Sequence, residues 1–210
     1  MPLLEIEVKF HLIDIPRMRD RLTALGGACK TKARETNIRF EDRQNDLYRQ
    51  KALLRLRKAD KVTLTYKSTP VADGQKTAAS DYRLQFKVQN ELEVSVDDFN
   101  IMRRILEALG FHAEQVYEKN RETWTLGQSQ ICLDQMPYGA FIEIEGEPDA
   151  IRQIAGALDL KWHDRILCNY LEMFSVIKAD QGLSFTDVTF ENFDGLDIDM
   201  AVYLPKFRAG

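Results

Sequence analysis

No apolar run in the 210-residue chain is long enough to span a bilayer. Acidic residues appear within the first five positions, which is unlike a secretory leader. Cysteine is scarce: Cys29, Cys132 and Cys168 are far apart, odd in number and without metal-ligand spacing. This argues against a disulfide framework and reads as reduced thiols of a cytoplasmic protein. Histidine is scarce too, and His11, His112 and His163 do not cluster, so each reads as a surface or core residue. A basic balance is also missing. With a net charge of -4 and a pI near 5.5, the chain is not built to hold nucleic acid through a broadly basic surface. Any anion it binds must be held by cations gathered locally. What is present is 44% hydrophobic residues, enough for the core of one domain, or of one domain with an appendage.

The most informative stretch is Glu5-Ile6-Glu7-Val8-Lys9. A period of two puts Glu5, Glu7 and Lys9 on one face of a strand and Leu4, Ile6, Val8 and Phe10 on the other. A single strand of this kind would read as a solvated outer strand, but the pattern returns at Glu91-Leu92-Glu93-Val94 and at Phe141-Ile142-Glu143-Ile144-Glu145. Each copy is followed by a capped amphipathic helix. Asp14 and Pro16 open the first, with Ile15, Met18, Leu22 and Leu25 before Gly26-Gly27. Asp97 is expected to cap the second, whose stripe is Phe99, Met102, Leu106 and Leu109. Pro148-Asp149 opens the third, with Ile151, Ile154 and Leu158. The weak repeat suggests two similar halves closing one sheet, with helices covering the aliphatic faces.

Between these segments lie the cations. Leu53 to Arg57 points Arg55 and Arg57 one way, and its hairpin partner Thr63 to Lys67, across Ala59-Asp60-Lys61, adds Lys67 to the same side. Lys119, Arg121 and Thr123 share a face of the Tyr117 to Trp124 stretch, and Ile131 to Asp134 ends on an acid. Lys30 to Asp46 reads as a mixed strand with Asn37, Ile38 and Phe40 packed or pairing, then a turn at Arg43 to Asp46. Ser68 to Ala79, with Pro70 and Gly74, reads as a loop and a candidate flap. A last helix is expected from about Arg165 to Ile177, with Tyr170 on its apolar stripe and therefore read as core. Trp124 and Trp162 read as packing residues, Arg103-Arg104 as a solvated pair, and the aromatic, acidic tail as packing across one end of a barrel.

The faces that repeat most regularly are the charged ones, and helices are available for the aliphatic ones. A sheet closed that way would carry its charges inside. Such a tunnel would need water, ion pairs, metal or a polyanion to compensate it. Arginine forks and lysine ammoniums suit phosphate oxygens. Carboxylates are hard donors that suit Mg²⁺ or Mn²⁺.

Together, Glu5-x-Glu7-x-Lys9, Arg55-x-Arg57, the Leu-Thr-Tyr-Lys run ending at Lys67, Lys119-x-Arg121, and Leu133-Asp134 leading to Gly139 through Glu145 resemble the CYTH, or triphosphate tunnel metalloenzyme, superfamily. The resemblance covers about residues 1 to 175. It implies an α+β fold in which a closed eight-stranded antiparallel β tunnel with a polar interior has helices packed outside. The tunnel domain is expected over 1–178, with 179–210 a C-terminal extension. By position, Lys9, Arg55, Arg57, Lys67, Lys119 and Arg121 would bind phosphates. Asp134, Glu143 and Glu145, with Glu91 and Glu93, would hold Mg²⁺ or Mn²⁺. Glu5, Glu7 and Lys9 would form the catalytic signature, the two acids holding metal or orienting the basic side chains. Cyclase-like members tend to carry Lys-x-Arg before the central acidic strand, where this chain has Lys87-Val88-Gln89, with Arg83 a possible substitute. The expected reaction is metal-dependent hydrolysis of an inorganic or organic triphosphate. The alternatives are a class IV adenylyl cyclase making cyclic AMP, and a non-catalytic polyphosphate-binding module. The implied partner is a small-molecule triphosphate, with no nucleic acid and no membrane, and the protein is expected to be a monomer or homodimer.

Overall fold

The computed structural model describes residues 3–70 and 84–209. Eight antiparallel strands form a closed barrel: β1 (Leu3–Leu12), β2 (Ala28–Glu41), β3 (Leu53–Lys58), β4 (Val62–Ser68), β5 (Lys87–Val96), β6 (His112–Leu126), β7 (Ser129–Met136) and β8 (Gly139–Glu145). Their order around the ring is β1-β5-β4-β3-β2-β6-β7-β8. The expected α+β tunnel is therefore present, but not as two similar halves. The three Glu-x-Glu strands sit side by side, because β1 inserts between β5 and β8. The cation-bearing strands β4, β3 and β6, with β2 among them, make the facing arc.

Strand alternation sends the aliphatic side chains outward, where helices bury them. Val8, Phe10 and Leu12 of β1, Ile131 and Leu133 of β7, and Ile142 and Ile144 of β8 pack under α1 (Ile15–Ala24) and α4 (Pro148–Ala157) through Met18, Leu22, Ile151 and Ala155. Each such side chain contributes about 1.5–3 kcal/mol by leaving water. Asp14 caps α1 by accepting from the Arg17 N–H at 2.9 Å. The helix stops at Gly26 (φ +84°) and at Gly27, where a Cβ would lie 2.8 Å from the Leu22 carbonyl oxygen. A single turn, α2 (Asp46–Arg49), follows β2, and α3 (Phe99–Ala108) covers Ile38, Phe40 and Leu56 through Leu106.

Four expectations are corrected. Asp98, not Asp97, caps α3, accepting from Ile101 N at 2.9 Å. Leu109 is the residue just past the helix and is 70% exposed. Among the described residues no helix covers the outer face of β5, and Leu92 and Val94 are each 55% exposed. The reason is that α3 crosses to β3 and β6 instead of folding back along its own strand. The last long helix, α5 (Tyr170–Gln181), starts five residues later than expected. Before it, Ile166 pairs by backbone with Lys9 (N to O, 2.7 Å), and the capping box of Asn169 and Glu172 sets the start.

Beyond α5 the chain lies against the barrel. Val188 exchanges backbone hydrogen bonds with Val116 and Glu118, and Phe193 and α6 (Met200–Phe207) share a buried cluster with Tyr138, Phe141 and Tyr170. At Gly139 an added Cβ would lie 2.9 Å from Met200 Cγ, so glycine admits this close approach. Trp124 is buried, Trp162 packs against Phe10 and Phe86, and Arg103 pairs with Glu107 on the surface. Residues 71–79 of the expected flap, and Arg83, lie outside the described residues. Among the described residues no helix is long and apolar enough to cross a membrane.

Candidate active site

The inward faces bring together the charged residues singled out above. Registers place acid opposite cation: Lys9 faces Glu143, Glu7 faces Lys87, Lys67 faces Glu91, and Arg121 faces Asp134. The result is a lumen with two unlike walls. On the β5–β1–β8 side, Glu5, Glu7, Glu91, Glu143 and Glu145 outnumber Lys9 and Lys87, and Lys67 reaches them from the adjoining β4. On the β3–β2–β6–β7 side, Arg55, Arg57, Lys119 and Arg121 outnumber Glu35 and Asp134.

Asp134, fully buried, is the hub of the basic wall. It accepts from Lys119 Nζ at 3.0 Å, Arg121 Nε at 2.6 Å and the Tyr170 hydroxyl at 2.8 Å. Arg121 also reaches Glu143, which lies 3.4 Å from Lys9 Nζ. Lys9 is 2% exposed, donates to the Cys168 carbonyl at 3.1 Å and sits 3.9 Å above the Tyr170 ring. Burial pushes the Glu143 carboxyl up, but Arg121, Lys9 and Lys119 together hold it well below the usual carboxylate range. Glu35 faces the same balance: burial opposes, Lys119, Arg121 and Arg57 prevail, and its value falls to about 2. Arg57 lies 3.4 Å from Glu35 and donates through Nε to Asn37 Oδ1 at 3.2 Å. Burial and then the neighbouring Arg55 depress its guanidinium, so positive charge in this wall is incompletely matched.

The acidic wall is strained in the opposite sense. Lys67 pairs with Glu5 and, at 3.4 Å, with Glu91, and Lys87 pairs with Glu7 at 2.6 Å. Burial raises Glu7, yet Lys87 brings it below its ordinary value, whereas Glu5 is raised by burial and by Glu7. Among the described residues Glu145 has no ion-pair partner and accepts only from Gln130 Nε2, at 3.3 Å. Burial, followed by repulsion from Glu5 and Glu7, pushes its carboxyl up to about 7. Glu93 stands at the rim, its side chain 40% exposed, and accepts from Thr65 Oγ1 at 2.7 Å.

Among the described residues no three acids, histidines or cysteines are gathered closely enough to hold a metal in this arrangement, since ammonium and guanidinium groups occupy most of the carboxylates. The donor set still fits a hard divalent cation. Glu5, Glu7 and Glu145 are oxygen donors whose mutual repulsion such an ion relieves.

Several lumen residues escaped the sequence reading. Glu35 and Tyr117 lie opposite Lys119 and Asn37. Continuing the period of two back from Lys119 reaches Tyr117, and back from Asn37 reaches Glu35. Tyr170 does pack in the core, as expected, but its hydroxyl also belongs to the Asp134 hub. Cys132 faces inward beside Glu143, and burial pushes its thiol up to about 12, so it stays neutral. Lys87 keeps its cation in the lumen, and Gln89 lies opposite Glu5.

This architecture has known counterparts. A protein of Methanocaldococcus jannaschii provisionally named adenylate cyclase is 26% identical over 183 residues, covering 81% of this chain and 98% of its own. A solved Vibrio parahaemolyticus structure, provisionally named the same way, superposes with a TM-score of 0.67 at 18% identity, covering 83% of this chain and 99% of that one. A Hippeastrum protein, described as an adenylyl cyclase candidate with a dominant triphosphatase activity, gives a TM-score of 0.52 at 17% identity over 84% of this chain and 96% of that one. The CYTH domain family model matches residues 3–167, from the first strand of the barrel to the turn before α5, and the chain belongs to the CYTH domain family.

Proposed function

We propose that the lumen hydrolyses the terminal phosphoanhydride of a triphosphate, inorganic or nucleoside, with Mg²⁺ or Mn²⁺. The observation that carries this reading is the segregation of charge. A basic wall holding more cation than it can neutralise faces an acidic wall holding more carboxylate than it can pair. Buried donors in the basic wall are also unmatched: among the described residues Arg55 Nε and Thr63 Oγ1 have no hydrogen-bond partner. A phosphate chain along that wall supplies the missing acceptors. Arg55, Arg57, Lys119 and Arg121 would orient it, with Lys9 and Lys67 reaching from the other side. Glu5, Glu7 and Glu145, with Glu91 and Glu143, would hold the ion, whose chemistry when bound would be charge neutralisation at phosphate oxygens and activation of water. Support for hydrolysis over cyclisation comes from Gln89 standing where cyclase-like members tend to carry a second cation, and from the activity described for the Hippeastrum protein. The cyclase reading draws on the names of the other two relatives.

Incubation with Mg²⁺ or Mn²⁺ and either tripolyphosphate or ATP should release orthophosphate. Cyclic AMP as the main product would move the assignment to a cyclase. Tight binding without turnover, and without penalty from Glu143→Ala, would make the protein a polyphosphate-binding module.

The ionisation of Glu145 gives a pH signature. Its carboxyl goes from 4.5 unfolded to about 7 folded, so its contribution to stability is fully present below pH 4.5 and is lost as pH rises through about 7. Relative to Glu145→Gln, the metal-free protein should lose thermal stability across that interval. The stabilisation given by Mg²⁺ should grow across it, because the ion takes the ionised carboxylate. Thermal denaturation with and without Mg²⁺ checks both, and parallel curves for the two proteins would refute the assignment.

A further inference from the structure

β2 runs through the middle of the basic wall, with β3 on one side and β6 on the other. Two of its lumen residues, Glu35 and Asn37, are 4% and 0% exposed. The register sets Asn37 opposite Arg57 of β3, and Glu35 opposite Lys119 of β6. Arg57 Nε donates to Asn37 Oδ1 at 3.2 Å, and Asn37 Nδ2 donates to the Tyr117 carbonyl at 3.5 Å. The second bond fixes the amide, because its nitrogen only donates and its oxygen is thereby left facing Arg57. Glu35 spans the two flanking strands: Oε1 lies 3.4 Å from Arg57 Nη1, and Oε2 lies 3.7 Å from Lys119 Nζ.

Neutralising charge is a poor account of Glu35. Lys119 already has Asp134 at 3.0 Å, closer and hydrogen-bonded. Glu35 Oε2 is buried and, among the described residues, accepts no hydrogen bond. A carboxylate so placed adds little to stability, because its desolvation offsets its attraction to the cations. The cations nevertheless prevail over burial and keep it ionised. What Glu35 does supply is position. It engages one side of each cation, and among the described residues Arg57 Nη2 makes neither a hydrogen bond nor an ion pair.

We infer that Glu35 and Asn37 are positioning residues: from the middle strand of the basic wall they hold the Arg57 guanidinium and, through Glu35, the Lys119 ammonium, so that both turn their remaining donors toward one phosphoryl group. This deepens the phosphate-binding reading of the lumen and rests on it. The arrangement works against affinity. The Glu35 carboxylate repels the anion that its neighbours attract, so its benefit belongs to the transition state, where donors aimed in advance count most.

The test separates aim from charge, with tripolyphosphate as the probe and the full chain as the protein. Glu35→Gln keeps the shape and removes one negative charge. Calorimetry on the metal-free protein should give an unchanged or lower Kd, whereas kcat with Mg²⁺ should fall about tenfold, less than for loss of a whole donor. Asn37→Leu leaves the net charge alone, removes the acceptor for Arg57 Nε, and should lower kcat to a similar degree. The two variants are independent, so either one that folds by thermal denaturation decides. In the Arg57→Met background, which should itself raise Kd, each should lower kcat by less than about twofold more, because the guanidinium it aims has gone. An unchanged kcat in the single variants while Arg57→Met is impaired, or equal losses in the two backgrounds, would overturn the positioning role alone. Arg57→Met without effect on Kd or turnover would overturn the phosphate-binding reading of this wall, and absence of wild-type turnover the hydrolytic one; the positioning role would fall with either.

Discussion

Asp134→Ala is expected to lower the unfolding free energy by about 3–5 kcal/mol, because it leaves buried cations without their shared counter-charge. Asp134 is fully buried and receives hydrogen bonds from Lys119, Arg121 and Tyr170 at once. Among the described residues Lys119 would keep Glu35, at 3.7 Å, as its ion-pair partner, and Arg121 would keep Glu143. For a chain of this length the loss corresponds to a fall in Tm of about 10 °C, read by thermal denaturation without ligand. Asp134→Asn keeps the shape and one acceptor and should fall between. Deleting the exposed Arg103–Glu107 pair serves as the control, and should cost under about 1 kcal/mol. Equal effects at the two sites would mean that the interior is wet enough to screen its charges, and the picture of a desolvated hub would fail.

The opposite trade is expected at Arg57. Its guanidinium is partly buried beside Arg55 and Arg121, with Glu35 the carboxylate that answers it most directly. Arg57→Met removes a repelling charge while keeping most of the apolar stem. The unliganded protein should therefore melt no lower than wild type, and it should melt higher if the relief exceeds the lost contacts with Glu35 and Asn37. Tripolyphosphate turnover should nonetheless fall about a hundredfold or more, the usual scale for losing one pre-aimed donor to developing charge. Stability sacrificed for a binding group is a common pattern at functional sites. A variant that loses stability and keeps turnover would show that Arg57 is a structural ion-pair member and not a phosphate ligand.

Local patterns were legible where a short window holds the whole cause. Period-two alternation was enough to orient Glu5, Glu7, Lys9, Arg55, Arg57, Lys67, Lys119, Arg121, Glu143 and Glu145 toward one side, and the β3–β4 hairpin was visible in Leu53 to Lys67. What stayed hidden depends on distant partners. The three acidic strands read as a repeat in sequence, and their adjacency arises only because β1 is flanked by β5 and β8. Tyr170 was assigned to the core by its helical spacing. Its hydroxyl meets Asp134, 36 positions away, through the seating of α5 on the barrel end. Glu35 was passed over because the mixed composition of β2 hides which of its faces turns inward, and that face is fixed by Lys119 on β6. The apolar face of β5 suggested a covering helix, but nothing near Asp98 says in which direction α3 departs.

The insertion of β1 between β5 and β8 also bears on how the barrel assembles. The opening strand finds its first neighbour only after some eighty further residues and its second some fifty residues later, so the ring is sealed by contacts of long sequence separation. Loop-closure entropy must be met before those contacts give anything back, which slows folding. During synthesis Glu5, Glu7 and Lys9 wait, exposed, for the partners that will shield them.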